Sequence, residues 1–465
     1  MKIPILSGIY ADTSPEWRTS YPYNLVPVPK ETGINEGFLG PTDGLAVFGT
    51  GPGVGRGRIN WNGVCYAVMG AKLVKVAADG THTTLGELGA TTDQVTMDYS
   101  FDRLAIASGG KLWYWNGTTL SQVTDPDLGK VIHFTFIGGY FLTTDGTSIV
   151  VTELTDPTAV NPLKYGTSES DPDPIMAVFK LRNEVCVPNR YTCEFFQNVG
   201  GSNFPFLRVD GALVPRGAIG THACCLYAET VAFVGSGRKE APAVYAINNG
   251  STTKLSTREI DMILQGYTEA VLSQVILESR TDKGHLRLYM HLPDVTWVYD
   301  AAATQAMERP VWYSVGSGIN PAQYRARNMI WCYDKWLCSD PQSSNTGYLT
   351  TSVRTHYGQT VGWTFGTLVM YNAGKAAVLH SIDLVALSGV ASLGVNPTIW
   401  HSYSIDGVTW SQERPVSAGK QGDRGKQLQW RRVGKLRNWR IERFRGTSDS
   451  AMSIARLEAE VEPCV

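Results

Sequence analysis

Four short stretches carry residue types at spacings that could do chemistry. GPGVGRGR (51–58) sets Gly53, Gly55 and Gly57 beside Arg56 and Arg58, the composition of a phosphate-cradling loop. Such a loop needs a strand before it and a helix after it, so that backbone N–H groups converge on the anion. Here INWNGVCYAVMG follows, which alternates as a strand, so the expectation is a flexible glycine loop with Arg56 and Arg58 at its tip. HLRLYMH puts His285 and His291 on one strand face, but six residues of strand span about 20 Å, too far for one metal ion. DPDP brings Asp171 and Asp173 together as a glycosidase would, yet in a proline-rich connector where a solvated turn is the simpler reading. SYSIDGVTW (402–410) nearly spells the Ser-x-Asp-x-Gly-x-Thr-Trp turn of sialidase-like propellers, one residue short because Gly407 follows Asp406 directly.

Other catalytic signatures are missing from the sequence. It has no His-Glu-x-x-His and no Gly-x-Ser-x-Gly. None of its eight cysteines forms the Cys-x-x-Cys that a zinc tetrahedron favours. The cysteines read as buried free thiols. Asn116-Gly-Thr and Asn249-Gly-Ser match the glycosylation pattern but read as hairpin turns. No catalytic residue, metal or cofactor is expected.

The remaining anomaly is one of charge. Residues 420–445 hold ten Lys/Arg against Asp423 and Glu442, a local +8, whereas residues 1–419 carry −6 and the whole chain −1. The molecule as a whole is therefore not an electrostatic DNA binder. Trp430, Leu436, Trp439, Ile441 and Phe444 interleave with the cations, as in an amphipathic hairpin. Two readings compete: the stretch meets DNA phosphate or another acidic partner, or its basic face is solvated or pairs with acids elsewhere on this chain; Arg with Trp also marks protein–protein contacts. Arg431, Arg432, Lys435, Arg437 and Arg440 are accordingly assigned to an assembly interface.

The elements that must position these residues are β-strands. The 465-residue chain is 43% hydrophobic, only 18% charged, and has 48 glycines, a mix that favours short strands and tight turns. Asx-Gly pairs recur at Asp43, Asn62, Asp79, Asn116, Asp145, Asp210, Asn249 and Asp406; each can supply the positive φ angles of a type I′ hairpin turn. GAKLVKV at Gly70, GGKLWYW at Gly109 and GGYFLTT at Gly138 form a loose repeat of the length of a propeller blade. The expected fold is all-β: a β-propeller of six or seven blades over 46–354, an extended arm over 1–45 packing on a platform, and a β-sandwich platform over 355–465. One helix is expected in STREIDMILQGYT (256–268), capped by Ser256 with Glu259. No signal peptide and no apolar run of membrane-spanning length is read, so the expectation is a soluble chain made in the cytoplasm.

The order of several segments resembles a known family. They are YPYNLVPVPKE (21–31), RGRINWNGVCYAVMGAKLVKV (56–76), EAPAVYAINNGSTTKLSTREIDMILQGYT (240–268), LRLYMHLPDVTWVYDAAATQ (286–305), SIDGVTWSQERP (404–415) and WRRVGKLRNWRIERFR (430–445). Together they resemble the packaged-DNA stabilisation proteins, or tail hub and nozzle proteins, of short-tailed bacteriophages. The resemblance implies a non-enzymatic virion protein: a homo-hexameric ring below the portal-adaptor that extends the DNA channel and helps retain the genome. It also implies contacts with a tail needle or plug and, in some phages, with tailspikes. DNA would pass without sequence-specific binding, and no membrane anchor is implied. Within it, Asp406-Gly407 is expected as a type I′ turn with Tyr403, Ile405 and Trp410 packed beside it. Two other classes compete. A propeller hydrolase or lyase acting on glycans needs a cluster of carboxylates at one mouth of the propeller. A cytoplasmic peptide-binding scaffold would carry the Trp-Asp and Gly-His repeat signatures, which are absent.

Overall fold

Strands such as Leu104–Ser108, Tyr140–Thr144 and Thr296–Asp300 are buried along their whole length. A strand covered on both faces reads as a continuous apolar run rather than an alternation, and here the cover comes from sheets stacked side by side. The computed structural model describes residues 2–6, 9–10, 19–30, 37–201, 203–248, 250–372, 375–450 and 453–464. These build seven antiparallel meanders of four main strands. Their first strands are Gly55–Trp61, Thr96–Tyr99, His133–Ile137, Phe179–Leu181, Cys224–Tyr227, Ile276–Asp282 and Arg327–Cys332. We number these sheets blades 1 to 7. First strands pack against one another from blade 1 to blade 4 and from blade 5 to blade 7, and that of blade 7 packs on that of blade 1.

Seven of the eight apolar clusters lie between successive blades, and the eighth fills a sandwich. The ring closes by sequence-distant pairing. Gly44–Thr50 is the outer strand of blade 7, antiparallel to Asn345–Thr350 with Leu45 opposite Leu349. A closed ring of blades leaves only short outer edges for unwanted strand pairing.

The sandwich has two sheets. One runs Leu25–Pro29, Gly37–Pro41, Ile454–Pro463, Ala377–Ala386, Leu428–Leu436, with Leu428–Leu436 at its edge. The other runs Gly362–Gly366, Trp439–Thr447, Thr398–Ser404, Arg414–Ser417. The N-terminal segment thus supplies strands to this layer, and Ile3, Ile5, Leu25 and Leu39 enter its core. Between its two roles sits Asn24, buried at φ 52. Its amide donates to Gly316 O (3.0 Å) and Gly362 O (2.8 Å) and accepts from Gly316 N (3.0 Å). Tyr23 exchanges backbone bonds with Thr364 while Asn24 N donates to Ser314 O. This stretch ties the last strand of blade 6 to the sandwich.

The structure corrects several local expectations. GPGVGRGR is no flexible loop: Gly55–Trp61 is the first strand of blade 1, and Arg56 is buried. Its glycines answer crowding. A Cβ at Gly55 would lie 2.3 Å from Ser339 Oγ, and one at Gly57 would lie 2.4 Å from Val95 Cγ2. Among the Asx-Gly pairs, Asn62-Gly63 has both residues at positive φ (53 and 77) between the paired Trp61 and Val64, as type I′ requires. At Asp79, Asn116, Asp145 and Asp406 only the glycine is left-handed; there the Asx oxygen accepts from backbone N–H groups two or three residues on. Asn249 lies outside the described residues. Gly70 and Gly109 occupy equivalent second turns of blades 1 and 2, whereas Gly138 sits in the first turn of blade 3, so the repeat is one strand out of phase.

The helix, Arg258–Gln265, begins after Thr257 without the predicted box. Ser256 Oγ is already used, accepting from Val244 N (3.1 Å) and donating to Asp261 Oδ1 (2.6 Å). The basic hairpin is not a hairpin either. Leu428–Leu436 and Trp439–Thr447 are consecutive strands in different sheets, so the chain arches from one layer to the other at Arg437 and Asn438. Tryptophans and phenylalanines expected beside one another therefore meet across the core, Trp430 against Phe444 at 5.3 Å between centroids.

Candidate functional site

The structure sorts the cations of 420–445 by environment. Arg440 is fully buried in the sandwich. Its Nε lies 2.5 Å from Glu442 Oε1, Nη2 donates to Glu442 Oε2 (3.2 Å), Nη1 donates to Val433 O (2.9 Å), and the guanidinium stacks 3.6 Å above Tyr403. His401 Nε2 completes the group, 2.6 Å from Glu442 Oε2. Arg440 is thus a core residue and is corrected out of the predicted interface: alternation along Trp439–Thr447 points it inward. Arg443 and Arg445 sit near Glu413 (3.8 and 2.5 Å), with Arg443 stacked on Trp410 (3.9 Å) and its guanidinium held below the usual arginine range by burial.

Arg431, Arg432, Lys435 and Arg437 remain, all exposed. Trp430, Val433 and Leu436 point into the core and the cations point out. Alternation is broken because Ser381 pairs with Arg431 but Leu379 with Gly434, leaving an extra residue on the edge strand; Arg432 takes φ 55 and Gly434 φ 106. Arg431 Nε donates to Gln429 Oε1 (2.6 Å). Among the described residues, Arg432, Lys435 and Arg437 make no ion pair. Sequence reading missed a fifth member of the patch. Arg414, from the other sheet, donates to Arg431 O (2.5 Å) and Arg432 O (3.3 Å), covering the open edge. Its separation of 17 residues from Arg431 leaves no local signal.

The same outer sheet face carries acids. Rows run Lys435, Val378, Glu462; then Arg431, Ser381, Glu460; then Gln429, Asp383, Glu458. Bases occupy the edge strand and acids the strand on the far side of Ala377–Ala386, about 10 Å away at two strand spacings. Arg456 pairs with Glu458 (2.7 Å) and His380 with Glu462 (2.8 Å).

The other sequence candidates serve the fold. His285 Nδ1 lies 2.8 Å from Asp300 Oδ2, and His291 is held between Glu278 (2.5 Å) and Thr296 (2.9 Å). Asp171 and Asp173 are not a solvated pair: Asp171 takes two bonds from Arg238, and Asp173 accepts from the backbone of Tyr191 and Thr192. All eight cysteines are free and six are buried. No group of three His, Cys, Asp or Glu suited to a metal occurs among the described residues. SYSIDGVTW joins Thr398–Ser404 to Arg414–Ser417 in the sandwich, away from the propeller. Hydrogen bonds from Thr409 Oγ1 and the Val408 amide hold the Asp406 carboxyl well below its ordinary range, and Ile405 is 62% exposed rather than packed. The propeller mouth at the leading ends of the first strands is lined by a single carboxylate, Asp93, among the described residues. Among the described residues no helix is long and apolar enough to cross a membrane.

Comparison with known proteins gives a consistent result. A family model described as Bacteriophage P22 Gp10, beta-propeller matches residues 1–354, and one described as Bacteriophage P22 Gp10, beta-sandwich matches residues 362–462. The tail hub protein gp10 of Salmonella phage P22 is 24% identical over 483 residues, covering 99% of each chain. Among solved structures, the computationally designed Ika8 protein has a TM-score of 0.39 at 12% identity, covering 74% of this chain and 99% of its own. The WD40 domain of Neurospora crassa Pan2 has a TM-score of 0.41 at 8% identity, covering 68% of this chain and 98% of its own.

Proposed function

This chain belongs to the phage tail hub family that Bacteriophage P22 Gp10 represents, and we propose that it forms a ring below a portal-adaptor in the virion tail. In this reading six copies, made in the host cytoplasm, extend the DNA channel, help retain the packaged genome and attach a needle or plug and tailspikes. The role is structural rather than enzymatic. The same reading divides the chain into an arm over 1–45, a propeller over 46–354 and a platform over 355–465. The observation that carries it is end-to-end correspondence: propeller and sandwich match in order, and the tail hub relative is covered almost completely.

The platform face supports head-to-tail association. Rings need heterologous contacts, in which one face of a subunit meets a different face of the next. The exposed platform edge gives each copy one half of such a contact, with Arg431, Arg432, Lys435 and Arg437 as the basic half and acids on a different face of the next copy as the other. A channel that DNA must slide through is poorly served by a strongly basic lining, which would hold phosphate, so the contact reading is preferred over a channel lining. The test replaces these four with Ser and leaves Arg440 intact. Sedimentation of the purified chain, alone and with adaptor, is expected to show loss of the ring with an unchanged monomer melt. Ring formation at wild-type concentration would refute the assignment.

A further inference from the structure

A cavity at the propeller mouth is a second candidate for binding, and it does not depend on ring formation. The leading ends of the first strands in six blades surround a cavity of about 1120 Å3. Its charged lining is Arg56, Lys130 and Arg327 against Asp93. Arg56 is only 4% exposed. It donates to Asp93 O (2.7 Å), Gly70 O (2.9 Å), Ser108 Oγ (3.0 Å) and Thr91 Oγ1. All are neutral acceptors, so its charge is buried without a contacting carboxylate. Arg327 is half-buried, and its Nε is shut away from solvent with no acceptor. The nearby Glu278 is committed to His291 Nε2 (2.5 Å) and Met329 N (2.7 Å). Lys130 is exposed, and its stem lies against Gly110, where a Cβ would stand 3.1 Å from Lys130 Cγ. Burial pushes the His222 imidazole down to about 4, so it lines the cavity as a neutral group.

Cations taken out of water without counter-charge are costly, and an anion that enters the site offsets that cost. Among the described residues no Phe, Tyr or Trp lines the cavity and His222 is its one ring, so a run of nucleobases finds no stacking platform. The volume exceeds what one small anion fills. We propose that the mouth binds an acidic peptide segment of a partner protein, with carboxylates meeting Arg327 and Lys130 in front of the buried Arg56 guanidinium.

The test uses the full chain and fluorescein-labelled hexaglutamate, followed by anisotropy at low salt. Saturable binding is expected. Arg327→Gln with Lys130→Gln should weaken it about tenfold or more, and Asp93→Asn should tighten it. Arg431→Gln with Lys435→Gln on the platform should leave it unchanged. Should the first double variant fail to fold, Asp93→Asn alone carries the sign. No saturable binding, unchanged binding in the mouth variant, or saturation by tripolyphosphate without hexaglutamate binding would each overturn the proposal.

Discussion

Blade 6 buries Arg280 between Asp43 (2.9 Å) and Asp282 (2.7 Å) and sets Arg287 on Asp300 (3.0 Å), whereas the platform edge leaves Arg432, Lys435 and Arg437 without ion pairs among the described residues. The difference follows from topology. A propeller closes on itself, so paired cations such as Arg280 and Arg287 staple its strands together. A sandwich keeps open edges, and a row of Lys/Arg with a bulge is how an exposed edge avoids promiscuous strand pairing. Free charge there also has freedom to recognise a partner. Within the platform itself, Arg440 and Lys435, five residues apart, show the same contrast between a buried, paired cation and an exposed, unpaired one.

That contrast can be broken most sharply at Arg440. Arg440→Ala leaves Glu442 and His401 in an apolar core, and a loss of about 3–5 kcal/mol is expected by chemical denaturation. Lys435→Ala should stay within about 0.5 kcal/mol of wild type. Equal effects would erase the distinction between core and surface cations. Next comes the joint between the two regions. Asn24→Ala orphans two buried carbonyls and one N–H at a left-handed position, costing about 3 kcal/mol; calorimetry should then resolve separate propeller and platform transitions.

The propeller should also be the more acid-sensitive region at one marked position. Burial pushes His133, which accepts from Val178 N (3.3 Å), down to about 3. A depressed imidazole favours the fold fully above the unfolded value near 6.5, and the contribution is lost as pH falls toward the folded value. Between pH 7 and pH 5 wild type should lose about 2 kcal/mol more than His133→Gln, which cannot titrate. The smallest effect belongs to Asp406 in the platform turn. Asp406→Ala should raise hydrogen exchange at the Val408 and Thr409 amides and little else. For the native carboxyl, held low, that protection should persist above the ordinary aspartate range and fade only in strong acid.

Much of the fold was legible because its signals are local. Asx-Gly and Gly-Gly pairs set turns, and apolar runs such as Leu104–Ser108 announce strands with both faces covered. What stayed hidden depends on distant chain. That Gly44–Thr50 closes blade 7 rests on partners about three hundred residues away. The same holds for Arg56, which reads as a loop tip until the strand around it is packed. Composition marked 420–445 as a patch, but only the arch at Arg437 and Asn438 separates inward Arg440 from its outward neighbours and brings in Arg414. The Asp406 turn was legible as a turn, but not its type: the Asp406 carboxylate organises the backbone after it, and only Gly407 is left-handed.

The most direct test of the tail hub reading is electron microscopy of phage particles made with a nonsense codon early in this gene. The account predicts DNA-free heads that keep a portal and lack the distal tail. Full, infectious particles with intact tails would contradict it.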